Sequence, residues 1–235
     1  MGEFKKVILA DLLQEKGYIR GSFGSALKRP EMKSEGIPVY EQQHAIYNSC
    51  KFRFYIDEEK FQKLQRFQVQ TNDLVISCSG TVGKVTIIRD DDPKGIISQA
   101  LLILRANSKE ILPEYLKFFF SSEKGYNSII SRSSGSVQVN ISKRAVIEQI
   151  PLSLPDLEIQ EKIVGILKSI DDKIRNNEKI NRNLEEQAKA IFIDEFFDLD
   201  ELPKGWTEGS LTDIADFLNG LAMQKFRPAE YVYLY

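Results

Sequence analysis

The stretch from Tyr40 to Arg53, YEQQHAIYNSCKFR, sets Gln42, Gln43 and His44 side by side and follows them with Tyr47, Lys51 and Arg53. A glutamine amide offers one acceptor and one donor, the pair that matches the N6 and N7 positions of an adenine edge in the DNA major groove. A polar strand edge that is merely solvated has the same composition, so the pattern leaves base reading and solvation both open. A second stretch, SCSGTVGKV, presents Ser79, Thr81 and Lys84 around two glycines. It invites comparison with a phosphate-binding loop, but that loop needs Gly where Cys78 stands and Ser or Thr where Val85 stands. What remains is either a turn between two strands or a cluster of hydroxyls, backbone N–H groups and one charge suited to DNA phosphates, a contact that positions without specifying sequence. The Ser-rich stretch SRSSGSVQVN adds Arg132, Ser133, Ser134, Ser136, Gln138 and Asn140, either a groove-following loop or a linker, and Lys28 and Arg29 after GSFGSAL are candidate phosphate contacts.

Other chemistries find little support in the residue inventory. His44 is the single histidine, so a Ser-His-Asp triad or a zinc site is hard to assemble, and Cys50 and Cys78 stand apart with no CxxC between them. Both cysteines read as small apolar fillers. A DNA methyltransferase in its own right needs a cofactor-binding glycine turn and an Asn-Pro-Pro-aromatic motif, and no Asn-Pro or Pro-Pro dipeptide occurs. No catalytic residue, cofactor or metal is therefore expected. Charge is uneven: residues 1–150 hold 22 Lys and Arg against 17 Asp and Glu, and residues 151–235 hold 10 against 17. The positive excess of the first part is compatible with a polyanion partner without requiring one. With no apolar run approaching the ~18 residues of a membrane span, and no signal peptide, the expected location is the cytoplasm.

Positioning these groups requires a scaffold, and the first 150 residues read as a sheet-based domain. IPVYEQ, FRFYI, DLVISCSG, KVTIIRD and GIISQALLILRA are β-like runs bounded by Gly, Asp or Pro. LPEYLKFFFSSEKGYNSII has helical spacing, with Tyr115, Leu116, Phe119 and Phe120 on one face. The mixture predicts an α+β fold, left through an extended exit at Pro151 and Pro155.

From Asp156 to about Phe197 there is no proline and one glycine, which predicts one long helix. A heptad with Ile163 at position a places Ile163, Ile170, Asn177, Leu184 and Ile191 on one seam, with Ile166 and Ile180 at d and Leu167, Ile174 and Ala188 at e. Lys173 and Gln187 interrupt the d row. A helix of roughly 40 residues reaches about 60 Å, more than a small domain spans, so a coiled-coil partner is expected over a helix lying on its own domain. Asn177 at an a position suits register fixing, although a chance asparagine would look the same.

After the helix the chain begins again. Leu9-x-Asp11-Leu12 near the start matches Leu211-x-Asp213-Ile214 near the end, and each is followed by a glycine turn and a basic stretch ending in Arg-Pro. An internal repeat with a period near 200 residues predicts the order domain, helix, domain.

At this point the sequence resembles the specificity subunits of type I restriction-modification systems. The resemblance rests on GSFGSALK followed by GIPVYEQQHAIY, on DLVISCSGTVGKVTII, on SSGSVQVNISKRAVIEQIPLSLPDLEIQEKIVGILKSIDDKI, and on LPKGWTEGSLTDIADFLNG as the lead into a second recognition domain. It implies a globular target recognition domain over residues 1–155, a long coiled-coil spacer helix over 156–198, and the truncated start of a second recognition repeat over 199–235. It implies a non-catalytic subunit that directs methylation and restriction to a bipartite target in double-stranded DNA. The implied partners are methyltransferase subunits, a restriction subunit and, through the long helix, a second copy of the chain. A half-length subunit, a phase-variation product and an excised piece all fit EYVYLY closing the chain so early. The competing readings are a coiled-coil scaffold and a recognition module of another DNA-modifying enzyme.

Overall fold

The computed structural model describes residues 4–21, 27–133, 140–141, 143–197 and 203–216 of the 235-residue chain. The fold is α+β and divides into two compact units, Met1–Asn176 and Asn177–Tyr235. In chain order the strands are β1 (Lys5–Ile8), β2 (Leu13–Arg20), β3 (Ile37–Tyr40), β4 (Tyr55–Ile56), β5 (Leu74–Ser77), β6 (Val85–Ile87), β7 (Ile96–Ile97), β8 (Leu101–Ala106) and β9 (Pro151–Leu154). The helices are α1 (Gln42–Tyr47), α2 (Glu58–Lys63), α3 (Pro113–Ser121), α4 (Glu123–Ile130), α5 (Arg144–Ile147), α6 (Leu157–Phe196) and α7 (Leu211–Ile214).

A four-stranded antiparallel sheet ordered β2-β8-β5-β6 forms the centre of the first unit. Alternate residues of β5 and β8 enter different cores: Leu74, Ile76, Leu102 and Leu104 join one cluster, Val75, Leu101 and Ile103 the other. All seven are fully buried, so these strands read as unbroken apolar runs because both faces are covered. The first core is closed by α3, α4 and a two-stranded β1-β9 ladder. Pro151 sits in that short ladder, where no further strand asks for its missing N–H. The second core lies beneath a three-stranded sheet ordered β4-β3-β7, in which β3 and β7 run parallel.

Several expected elements appear in altered form. The run GIISQALLILRA is two strands, β7 and β8, separated by Ser98–Ala100. The expected single helix from Pro113 is two, because the Ser122 hydroxyl accepts the Gly125 N–H at 3.2 Å and starts α4 anew. Of the two cysteines, Cys78 is a buried filler, whereas Cys50 is exposed and its thiol meets Asp92 at 3.3 Å. Burial and Asp92 push the Cys50 thiol up to about 11, and burial pushes Cys78 up to about 12, so neither is an activated nucleophile.

The long helix α6 begins where the Asp156 carboxylate accepts the Ile159 N–H at 2.9 Å. Its first half packs within the first compact unit. Gln160 is wholly buried, its oxygen accepting the Leu112 N–H and its nitrogen donating to the Pro155 carbonyl, both at 2.9 Å. Val164 is buried one turn later, and Ile163 and Leu167 are half-buried. Beyond them four ion pairs tie the helix down: Lys117 with Asp171, Arg89 with Asp172 at 2.7 Å, Arg175 with Asp91 at 2.8 Å, and Lys168 with Glu114 at 3.2 Å. The other face of this half leaves Ile166, Ile170 and Ile174 exposed. The docking face was invisible to a heptad count because polar side chains carry most of it, and Ile163, expected on the exposed seam, is partly covered.

In the second unit α6 exposes Ile180, Leu184 and Ile191, while Phe196 stacks on Trp206 with ring centroids 6.1 Å apart. The repeated Leu-x-Asp motif has the same local structure in both places. The Asp11 carboxylate accepts the Ile8 N–H at 3.1 Å, and the Asp213 carboxylate accepts the Ser210 N–H at 2.6 Å, each opening a single helical turn. Among the described residues no helix is long and apolar enough to cross a membrane.

One buried ion pair closes the far end of the central sheet. Arg105 on β8 grips the fully buried Asp73 with two bonds of 2.7 and 2.8 Å, and Asp73 also accepts the Gln70 N–H at 2.8 Å. Asp73→Asn should lower stability by about 3–5 kcal/mol, because it strands a charge in a buried site. Asp172→Asn at the exposed Arg89 pair should cost under about 1 kcal/mol. Urea unfolding followed by tyrosine fluorescence measures both; equal effects would contradict the assignment.

Candidate nucleic-acid interface

The register of the central sheet brings three connections to one of its ends. Arg20 pairs with Leu102, Ser77 with Leu101 and Ile76 with Val85, so the exit of β2, the β5–β6 turn and the β7–β8 turn lie together. Gly21 leaves β2 there, with its N–H donating to the Leu101 carbonyl at 2.9 Å. A Cβ at Gly21 would stand 1.9 Å from the Ser98 carbonyl oxygen, so only glycine permits this approach.

The β5–β6 turn carries Ser79, Thr81 and Lys84. Gly80 and Gly83 hold φ of +65° and +84°, a left-handed backbone that places both bends of the turn at glycine. The Gly83 N–H donates to the Ser77 carbonyl at 2.9 Å, and the Ser77 hydroxyl accepts the Lys84 N–H at 3.0 Å. Beside it Cys78 acts as a bridge. Its N–H donates to the Ala100 carbonyl at 2.8 Å and its carbonyl accepts the Ile141 N–H at 2.9 Å. Asn140 therefore arrives next to the turn, where the Ser79 hydroxyl donates to its side-chain oxygen at 2.6 Å. Ser134, Ser136 and Gln138, the other candidates of this segment, lie outside the described residues.

The glutamines sit on a short helix rather than on the polar strand edge that their composition suggested. β3 ends at Tyr40, and the chain turns at Glu41 into α1. The Gln42 amide nitrogen donates to the Thr81 carbonyl at 3.2 Å, tying α1 to the β5–β6 turn, and the Gln43 nitrogen donates to the Lys51 carbonyl at 3.3 Å. A cleft of about 400 Å³ opens between α1, the β7–β8 turn and Arg29. Lys28 and Arg29 are exposed beside it, and Lys84 is exposed with its ammonium 5.1 Å from the centre of the Tyr126 ring. Four stretches far apart in sequence thus meet at one end of the sheet, with the Lys84 side chain lining a separate cleft against Tyr126.

Two expected base or phosphate contacts are engaged within the protein, His44 in its interior and Arg53 at its surface. His44 is buried at 2% exposure and stacks on Phe52 at 4.5 Å, which removes it from any DNA edge. Its Nδ1 accepts the Glu41 N–H at 2.8 Å and its Nε2 lies 3.0 Å from the Lys51 carbonyl, a set satisfied by the neutral ring with its proton on Nε2. Arg53 spends its fork on Glu41, with bonds of 3.0 and 2.7 Å. Tyr47 and Lys51 remain exposed at and beyond the far end of α1. Gln99, exposed in the β7–β8 turn and lining the same cleft, escaped the sequence pattern because SQ looks like alternation inside one apolar strand. Among the described residues no group of three or more His, Cys, Asp or Glu is arranged to hold a metal ion.

Burial holds the pKa of His44 below the ordinary imidazole value of about 6.5. Protons then bind the unfolded chain more readily, so the stability from neutral His44 is present above that value and is lost as pH falls through the folded pKa. As His44 is the single histidine, its ring resonances isolate the effect. They should titrate below a free histidine. A titration at or above the free value would contradict a buried neutral ring.

Known proteins share this architecture. Residues 4–186 match the family described as type I restriction modification DNA specificity domain. The HindI specificity subunit of Haemophilus influenzae is 31% identical over 120 residues, covering 50% of this chain and 26% of that protein. The MjaIX specificity subunit of Methanocaldococcus jannaschii is 28% identical over 125 residues, covering 47% and 29%. The fold is like that of the type I S subunit from M. genitalium, with a TM-score of 0.59 and 18% identity over 83% of this chain and 48% of that one. It is also like the HsdS subunit from Thermoanaerobacter tengcongensis, with a TM-score of 0.51 and 16% identity over 87% and 52%. The chain spans about half the length of these solved subunits and less than a third of the two curated relatives. With the family match running through most of its residues, the chain belongs to the type I restriction modification DNA specificity domain family.

Proposed function

We propose that this chain is a non-catalytic DNA-recognition subunit that directs the methyltransferase and restriction subunits of a type I complex to a bipartite target. The observation that carries this reading is that the register of the central sheet brings Lys84, Arg29, Gln42 and Asn140 to one of its ends, in a chain of this family. Lys28, Arg29 and Lys84 suit phosphates, which position the duplex, and a glutamine amide at this end suits a base edge, which specifies it. The recognition domain comprises the residues up to about 155 together with the docked first half of α6, and the rest of α6 acts as a spacer toward the start of a second repeat. The exposed isoleucines of α6 support a helical partner for it, because an uncovered apolar stripe is costly in water.

The arrangement we favour is an antiparallel pair formed with a second copy. Two identical domains would then read the same half-site on opposite strands, and the methylated motif would be an interrupted palindrome. Adding one heptad between Asn177 and Ile191 should widen the gap by about 10 Å, or roughly three base pairs. Methylome sequencing of cells holding the chain and its methyltransferase subunits measures both. Methylation that is absent, or unchanged when the chain is left out, contradicts recognition itself. An asymmetric motif, or a gap unmoved by the heptad, contradicts the paired arrangement.

A further inference from the structure

Three glutamine amides, those of Gln42, Gln43 and Gln99, line the cleft beside Arg29. They are not equivalent. Gln42 donates to the Thr81 carbonyl and Gln43 to the Lys51 carbonyl, so each spends amide hydrogen-bonding capacity on holding the protein together. Gln99 is exposed, and its amide makes no hydrogen bond among the described residues. The backbone of its neighbours, by contrast, is held at three points. The Ser98 N–H donates to the Tyr40 carbonyl at 2.8 Å, the Ala100 carbonyl accepts the Cys78 N–H at 2.8 Å, and the Leu101 carbonyl accepts the Gly21 N–H at 2.9 Å. The turn that carries Gln99 is closed by the Leu101 N–H donating to the Ser98 carbonyl at 3.1 Å. A reading group needs this combination: a fixed root, so that little order is lost on binding, and a head with its donor and acceptor both unspent.

On the reading that this end of the sheet faces DNA, we infer that Gln99 reads an adenine in the major groove and that Gln42 is a positioning residue. The Gln99 oxygen accepts from adenine N6 while its nitrogen donates to N7, the bidentate match of an amide to that base. Gln42 acts at one remove, holding the β5–β6 turn and its Lys84 in place through Thr81. The sequence pattern offered Gln42 and Gln43 as candidate readers, with solvation left open, and passed over Gln99; the hydrogen bonds favour Gln99.

The test uses the complex of the full chain with its methyltransferase subunits. Methylation rates are measured on the cognate duplex and on duplexes that each replace one base pair of the motif. Gln99→Ala should reduce the cognate-to-variant ratio at one A·T pair by about tenfold and leave the other positions unchanged. Gln99→Glu, an acceptor-only head, should shift preference at that same pair toward cytosine, whose N4 is a donor. Gln42→Ala should slow methylation of every duplex alike and leave all ratios unchanged. Unaltered ratios in both Gln99 variants, or a uniform loss in both, overturn the role given to Gln99. A single-position change from Gln42→Ala overturns the role given to Gln42. Should the unaltered chain itself discriminate at no position, recognition fails and this inference fails with it, an outcome distinct from the others.

Discussion

The buried pair of Asp73 and Arg105 is the contact on which the geometry of the recognition end depends. A sheet with one wet face has its register fixed by the alternation of apolar and polar residues, because a slip of one residue turns the apolar set into water. β5 and β8 lack that safeguard, since both of their faces are buried and both are apolar. A slipped ladder would still bury Leu, Ile and Val. What it would lose is the two-bond grip of Arg105 on Asp73, leaving a carboxylate without its cation at a wholly buried position. Such a pair adds little net stability over apolar residues of the same volume, but its loss is expensive, so its contribution here is to select one register. The Asn107 N–H bond to the Leu12 carbonyl at 2.8 Å extends the same alignment to β2.

Register at that end fixes position at the other. With Ser77 opposite Leu101, Cys78 lies against Ala100, and the two turns that flank the cleft are held at one spacing. Gly21 closes against Ser98 only because no Cβ intervenes, which adds the exit of β2 to the same group. The bonds from Ser79 to Asn140 and from Gln42 to Thr81 then recruit the remaining segments. On the proposed reading, side chains that hold this assembly are separate from those that meet DNA. His44, Arg53 and Gln42 belong to the first set, and Gln99, Lys84 and Arg29 to the second. The helix shows the same separation: Gln160, Val164, Asp171 and Arg175 hold its first half to the domain, and Ile166, Ile170 and Ile174 on another face stay available.

Much of this was legible in the residues. The runs around Leu74, Val85 and Leu101 are rich in β-branched and aliphatic residues, and the proline-free stretch after Pro155 admitted no other reading than a helix. The Leu-x-Asp repeat also carried real structure, because an aspartate at the third helical position caps the turn in both copies. Other features depend on contacts between distant segments. Nothing local distinguishes a histidine that meets a base from one that stacks on Phe52, or an arginine free for a phosphate from one paired with Glu41. The short helix α1 was hidden because IPVYEQ continues a β-like pattern up to the residue that turns the chain. Gln99 was hidden for a related reason: the segment between β7 and β8 is held by bonds to Gly21, Tyr40 and Cys78, all distant in the chain.

The most direct measurement is hydrogen exchange on the complex of this chain with the methyltransferase subunits proposed as its partners, with and without a duplex bearing the methylated motif. The account predicts slower exchange, on adding that duplex, at the backbone amides of residues 79–84 and 98–100 and at the start of α1, with no change at residues 68–73 and 107–111 at the opposite end of the sheet. Protection at the opposite end, with none in the two turns, would contradict it.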